Sequence, residues 1–289
     1  MKFGSVSNPE QIDFTLPQDH PATQPLLSTL KDPNKTFKAY IGCAKWNRKE
    51  LKGFYPRGTK DELTYYAQQF NSIELNATFY KLPSVEQIQK WKAKTPAHFK
   101  FFPKVTNTIT HFRRLKNVAE PIQSYCDHML HFEDQLGMGF LQLHDNFGPG
   151  NFELLEEALH HFSPNFPLSV EVRNKLWFED TTHFEKLTQL LTALRMSNTI
   201  VDTAGRREIL HMRLTGPKAF IRFVGANHEI DYKRLDDWVS RIATWKAAGL
   251  QELYFFVHQN VEESSPLLAS HFIKNLNDAL DLSIPIPVK

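Results

Sequence analysis

Cysteine is scarce: Cys43 and Cys126, far apart in the chain, are the only two in 289 residues. That excludes a disulfide framework and leads us to expect a reducing, cytoplasmic setting. Long apolar runs are missing. No stretch approaches the ~18 consecutive apolar residues of a membrane span, and MKFGSVSNPEQIDF at the start lacks the apolar core of a signal peptide. Charge of one sign is lacking as well. A formal net charge of +2 gives no general attraction to nucleic acid or to a membrane surface. Phosphate-cradling glycine loops of the GxGxxG or GxxxxGKS/T kind are absent. LGMGF at 136–140 has two glycines, but it leads into a strand pattern rather than out of one. There is no HExxH spacing among the 13 histidines, so no cofactor is expected and the support for a divalent metal is weak.

What is present is the composition of a soluble globular protein, 41% apolar and 23% charged. Residues 1–36 carry Pro9, Pro17, Pro21, Pro25 and Pro33 without the periodicity of a long helix. Phe3, Ile12, Phe14, Leu16, Leu26, Leu27 and Leu30 give this arm something to bury, so an extended belt on the main body is expected. Residues 37–289 show no linker and no repeat, and read as one domain.

Within that domain short apolar runs alternate with amphipathic stretches. The runs lie at 39–44, 72–76, 99–105, 139–144, 168–173, 198–203, 219–224 and 253–258. Helical patterns occupy 61–70, 84–94, 118–136, 152–162, 182–195, 231–248 and 266–280. Ser84 with Gln87, and Thr182 with Glu185, have capping-box spacing, and Asn151 suits a helix cap. Eight strands interleaved with helices imply parallel βαβ units, and their simplest closure is an α/β, TIM-like (β/α)8 barrel. The sixth unit is irregular: residues 204–218 read as a loop with a short hairpin.

FNSIELNATFY at 70–80 organises the rest. Glu74 and Asn76 alternate with Ile73 and Leu75, so the two polar side chains share one face of a buried strand. A buried carboxylate is costly unless it is paired or used. Together with GCAKW at 42–46, FYP at 54–56, TPAHFKFFPK at 95–104, THFRRL at 110–115, LGMGFLQL at 136–143, EVRNKLWF at 171–178, VDT at 201–203 and FIRFVG at 220–225, this segment resembles the YecE-like family, the domain of unknown function 72. The resemblance runs from about Ile41 to Ala269. It implies a TIM-like barrel and no established activity.

A barrel of this kind gathers its chemistry at the C-terminal strand ends. The polar residues expected there are Glu74, Lys104, His111, Glu171 and Asp202, with Asn76, Arg114, Gln142, Arg173, Arg222 and Asn260 around them and Trp46, Tyr80 and Trp177 as rim aromatics. Glu74 and Glu171 would act as acid and base or as metal ligands. Lys104, His111, Arg173 and Arg222 would clamp an anion. The opposite reading makes the same charges a set of buried ion pairs that hold the barrel mouth together. Cys43 lies within strand one and reads as core. The leading expectation is an enzyme of unassigned reaction, a hydrolase, lyase or isomerase, that binds a small phosphate-bearing anion or a nucleic-acid end, with no membrane partner. The alternatives are a divalent-metal phosphodiester hydrolase or nucleic-acid-binding barrel, with His144 and His258 as further ligands, and a non-catalytic binding protein. Oligomeric state is not legible.

Overall fold

The alternation of apolar runs with amphipathic stretches is carried into an α/β fold, seen in a computed structural model that describes residues 4–288. Its strands are β1 (Lys38–Cys43), β2 (Ser72–Leu75), β3 (Lys100–Pro103), β4 (Gly139–Gln142), β5 (Leu168–Glu171), β6 (Ser197–Thr203), β7 (Lys218–Gly225) and β8 (Glu252–Gln259). The helices are α1 (Thr23–Leu30), α2 (Glu62–Gln69), α3 (Ala77–Tyr80), α4 (Val85–Ala93), α5 (Ala119–Leu130), α6 (Phe152–His160), α7 (Leu176–Glu179), α8 (Thr181–Ala193), α9 (Ile230–Ala248) and α10 (Ser265–Leu280). All pairings between these strands are parallel. Six strands form a curled sheet in the order β1-β8-β7-β6-β5-β4, and β2 pairs with β3 in a separate two-stranded sheet.

Two seams divide the sheets, and each has a sequence cause. Between β3 and β4 the ladder shrinks to isolated bridges, Phe101 to Leu136 and Lys104 to Phe140. The Gly137 N–H donates to the Phe101 carbonyl at 2.8 Å and the Val105 N–H to the Phe140 carbonyl at 2.9 Å. Odd-numbered residues of β3 therefore face β4. Pro103 shares that parity and has no N–H to give. Between β1 and β2, side chains replace the ladder. Asn71 accepts from the Ile41 N–H and donates to the Ala39 carbonyl, both at 2.8 Å. The Tyr66 hydroxyl accepts from the Cys43 N–H at 2.7 Å and donates to the Ser72 carbonyl at 3.1 Å. Gly42 is required here, because a Cβ would stand 2.2 Å from the Ser72 carbonyl oxygen.

The core has two parts. A large cluster fills the space between strands and helices and includes Cys43, whose thiol burial pushes well above its usual range. A smaller one is almost wholly aromatic: Phe102, Met138, Phe140, Phe220, Tyr254 and Phe256, drawn from both sheets. Two residues further toward the C-terminal end, on the same parity, Phe102, Phe140, Phe220 and Phe256 are followed by the polar Lys104, Gln142, Arg222 and His258, so this aromatic floor lies directly beneath the site.

Local signals are partly as expected. The Ser84 hydroxyl accepts from the Gln87 N–H at 3.3 Å and caps α4. The α8 cap is Asp180, which accepts from the Thr182 N–H at 2.8 Å, rather than Thr182. Asn151 makes no cap bond and turns back to the Gly148 carbonyl instead. The long helix expected to reach residue 136 stops at Leu130, with Glu133 in a left-handed conformation (φ 52°). Residues 204–209 form a kinked 3₁₀ turn, and no hairpin follows among the described residues.

The N-terminal arm is held to the body at several points. Asp19 accepts from Arg241 at 2.6 Å and from the Trp245 indole at 3.0 Å. Phe14 is buried beneath the Arg234 guanidinium, 4.3 Å from its ring centroid. The arm also contains helix α1, whose Thr23 hydroxyl donates to the Met212 carbonyl at 2.8 Å. Phe3 lies outside the described residues. No helix among the described residues is long and apolar enough to cross a membrane.

Candidate functional site

Four strands from two sheets meet on one guanidinium. Arg222 on β7 is 1% exposed. Its Nε and Nη2 donate to the two oxygens of Glu74 on β2, at 2.8 and 2.9 Å. Its Nη1 donates to Glu171 on β5 at 2.8 Å and more loosely, at 3.4 Å, to Gln142 on β4. The fork geometry of arginine suits such a two-sided task. Glu74 is further held by Asn76 Nδ2 at 2.8 Å and His258 Nε2 at 2.9 Å. Glu171 also takes a bond from Arg173 Nε.

These contacts set the charge states. Burial alone would raise the Glu74 carboxyl, but Arg222 and then His258 outweigh it and hold the group well below the usual carboxylate range. Glu171 is lowered in the same way, with Arg173 and Arg222 overcoming burial. Arg222 itself would be weakened by burial, yet Glu171 and Glu74 raise it. Both carboxylates are therefore ionised and spoken for, and the Arg222 donors are committed to protein partners.

Lys104 differs. It sits one residue past β3, is 3% exposed, and donates to Gln142 Oε1 at 3.0 Å. Its Nζ lies 4.1 Å from the Phe79 ring centroid and 5.9 Å from that of Phe140. Among the described residues it has no carboxylate partner within ion-pair distance. Burial, followed by repulsion from Arg222 and Arg173, brings its ammonium down to about 7.

Around Lys104 the wall is imidazole and aromatic. His111 packs edge-on to Phe79, centroids 4.9 Å apart, and against His144 at 5.3 Å. Burial first, then the nearby Lys104, His144 and Arg173, lowers His111 to about 4, so it is neutral at pH 7. His111 sits in a wide helical turn, Thr108–Phe112, whose closing bond runs from the Arg113 N–H to the Thr108 carbonyl at 2.9 Å. Directly after it Arg114, Leu115 and Asn117 all have positive φ, 49°, 66° and 52°. Such strain persists where surrounding structure enforces it, and it clusters at functional sites.

A cavity of about 160 Å³ opens beside Glu74, lined by Trp46, Asn76 and Tyr80 among others. Tyr80 is 75% exposed at its rim. Larger clefts lie away from this cluster, one of about 640 Å³ between residues 12–16 and α9 and one of about 540 Å³ beside Arg48 and Trp91.

Several expected site residues are not brought here. Asp202 points to the helix layer, where it accepts from Arg234 Nη2 and the Trp238 indole, both at 2.8 Å, and from Arg207. Trp177 is fully buried and donates to the Phe147 carbonyl at 2.8 Å, so it is a core residue rather than a rim aromatic. Arg114 is exposed. Asn260 is half-buried just past β8, with its Oδ1 buried and unbonded. His258 and Phe79 stood outside the expected acid–base and clamp set. The signal for His258 was its parity with Tyr254 and Phe256 on β8. Among the described residues no group of three or more His, Cys, Asp or Glu side chains is arranged to hold a metal.

A family model described as "Protein of unknown function DUF72" matches residues 40–287. The chain is similar to the UPF0759 protein YecE of Escherichia coli, 25% identical over 260 residues that cover 83% of this chain and 93% of that one. It is also similar to the UPF0759 protein YunF of Bacillus subtilis, 25% identical over 233 residues, 69% and 81% of the two chains. Among solved structures, a DUF72 family protein from Enterococcus faecalis aligns with a TM-score of 0.67 at 18% identity, over 86% of this chain and 100% of that one. One from Thermotoga maritima aligns with a TM-score of 0.66 at 24% identity, over 83% and 99%.

Proposed function

The chain belongs to the DUF72 family, and from that premise we propose an enzyme whose polar cluster, at the C-terminal ends of the strands, receives a small anionic molecule. The single observation that carries this reading is Lys104. Two carboxylates, Glu74 and Glu171, face two guanidinium groups, Arg222 and Arg173, and the His258 imidazole on Glu74 has a third carboxylate, Glu262, 3.9 Å from its other nitrogen. Lys104 is the cation left over. Asp145 lies 4.0 Å from Arg173, but at 55% exposure it offsets little. A carboxylate or phosphate arriving beside Lys104 would complete the charge balance in a dry setting, where such a pairing is strongest.

In this reading Lys104 exchanges the proton, because a group near neutrality serves either direction. Glu74 and Glu171 stay ionised and fix Arg222 and Arg173. His111 supplies a neutral ring at the wall, and Trp46, Asn76 and Tyr80 receive the remainder of the ligand. We further infer that the two sheets close into one (β/α)8 barrel, residues 37–289 forming a single domain with residues 1–36 as its belt. The Glu74–Arg222 pair and the shared aromatic floor both join the sheets and support that closure.

The test is titration of the Lys104 amine by nitrogen-detected NMR with and without inorganic phosphate, paired with calorimetry. Phosphate should raise the Lys104 pKa by about one unit or more. Lys104→Met should abolish the heat of binding and Arg114→Ala should not. A Lys104 titration that phosphate leaves unmoved would refute the reading.

A further inference from the structure

The environment of Lys104 suits a bond-forming amine better than a simple counter-ion. An amine kept for charge alone would be expected to face an acid, and Lys104 instead takes one amide oxygen, Gln142 Oε1, and lies under an aromatic ring. The ring belongs to Phe79 on α3, a single turn at the rim between the exposed Tyr80 and His111. The amine is thus held on rigid elements, at the end of β3, beneath a cover one turn long.

We propose that Lys104 Nζ condenses with the aldehyde or ketone carbon of a small carboxylate- or phosphate-bearing molecule to form an imine. The inference rests on the anion-pocket reading for the charge of that molecule and adds its reactive group. In the step, the nitrogen lone pair forms a bond to the carbonyl carbon. The carbon–oxygen double bond becomes an alcohol; that oxygen then leaves as water carrying the two protons the nitrogen has given up, and a nitrogen electron pair forms the second carbon–nitrogen bond as the carbon–oxygen bond breaks. No oxidant, reductant or metal enters the balance. The neutral His111 ring can relay a proton to the departing oxygen.

Two features favour condensation. At pH 7 about half of Lys104 is free amine, against about one part in a few thousand for an ordinary lysine. A neutral imine would also escape the burial and the Arg222 and Arg173 repulsion, which together outweigh Glu171 and Glu74 and disfavour a positive charge at this nitrogen.

The full-length chain would be incubated with pyruvate and, separately, glycolaldehyde phosphate in the presence of cyanoborohydride, then analysed by intact mass and peptide mapping. The expected result is one reduced adduct per chain, on Lys104, forming about tenfold or more faster than on the surface lysines. It should be suppressed by inorganic phosphate and absent in Lys104→Arg and Lys104→Met. Phe79→Ala, which uncovers the amine, should speed it. Label spread evenly over surface lysines, or unchanged in the Lys104 variants, overturns the imine. Phosphate binding by calorimetry with no Lys104 adduct overturns the imine while the anion pocket stands. Neither binding nor adduct overturns both.

Discussion

Replacing Lys104 with methionine should make the protein more stable, and by an amount that depends on pH. The ammonium falls from an ordinary 10.5 to about 7, with burial the main cause and Arg222 and Arg173 adding to it. Each unit is worth about 1.4 kcal/mol, so the charged amine costs the fold about 5 kcal/mol. The folded value lies below the unfolded one. The unfolded chain therefore binds more protons between the two, and stability rises with pH in that window. The penalty is complete below pH 7, shrinks as pH climbs toward 10.5 and is gone above it. Lys104→Met deletes the charge, keeps most of the apolar stem and loses one hydrogen bond to Gln142, worth about 1 kcal/mol. Gln142 Oε1 keeps its looser bond from Arg222. A net gain of about 4 kcal/mol is expected near pH 6.5, shrinking to about 1 kcal/mol near pH 9. Urea unfolding of both proteins at the two pH values reads this directly. A variant that is less stable than the parent at both values, or whose gain does not change with pH, would show that Lys104 is not a buried amine of lowered pKa.

Other outcomes follow from the same contacts. Glu74→Gln leaves Arg222 facing one carboxylate instead of two and should cost about 3–5 kcal/mol in urea unfolding; a loss under 1 kcal/mol would contradict the pairing. Glu74 and Glu171 are both held below the usual carboxylate range, so their stabilisation is present above the unfolded value of about 4.3 and fades as pH falls through the folded ones. Glu171→Gln should accordingly flatten the acid limb of a stability–pH profile, and an unchanged limb would count against it. Asp202→Asn weakens the bonds from Arg234 and Arg207, the two arginines that hold Phe14 and the Phe14 carbonyl. Limited proteolysis within residues 12–16 should become faster without any change in phosphate binding. Trp177→Phe loses the bond to Phe147 and some volume, about 1–3 kcal/mol, again with binding intact.

The positions of the strands and most helices were legible because each element is short, bounded and periodic in the expected way. Which face a buried polar residue takes was legible only where a neighbour fixed it. Glu74 and Asn76 share a parity, and they do meet. Asp202 looked equivalent to Glu171. In a parallel sheet covered on both faces, apolar residues fill both parities, so alternation no longer marks the inside. Only the fold reveals that Asp202 faces α9 while Glu171 faces Arg222. Trp177 misled for a related reason. Its indole is satisfied by a carbonyl thirty residues earlier in the chain, at Phe147, and no local pattern announces such a partner. The seams went unseen because they depend on one missing N–H at Pro103 and on side chains, Asn71 and Tyr66, that stand in for backbone bonds.

Arg222 also constrains how this protein can change over generations. Its removal alone would leave Glu74 to Asn76 and His258 and Glu171 to Arg173, each acid short of a buried partner, and removal of either acid alone leaves part of a guanidinium unpaired. Every single step away from the present arrangement descends, although an apolar trio in the same space could be at least as stable. The three positions are therefore expected to vary together or not at all, while the surface around Arg114 is free to drift. A library that randomises Glu74, Glu171 and Arg222 jointly should yield folded solutions that no sequence of one-residue scans would reach.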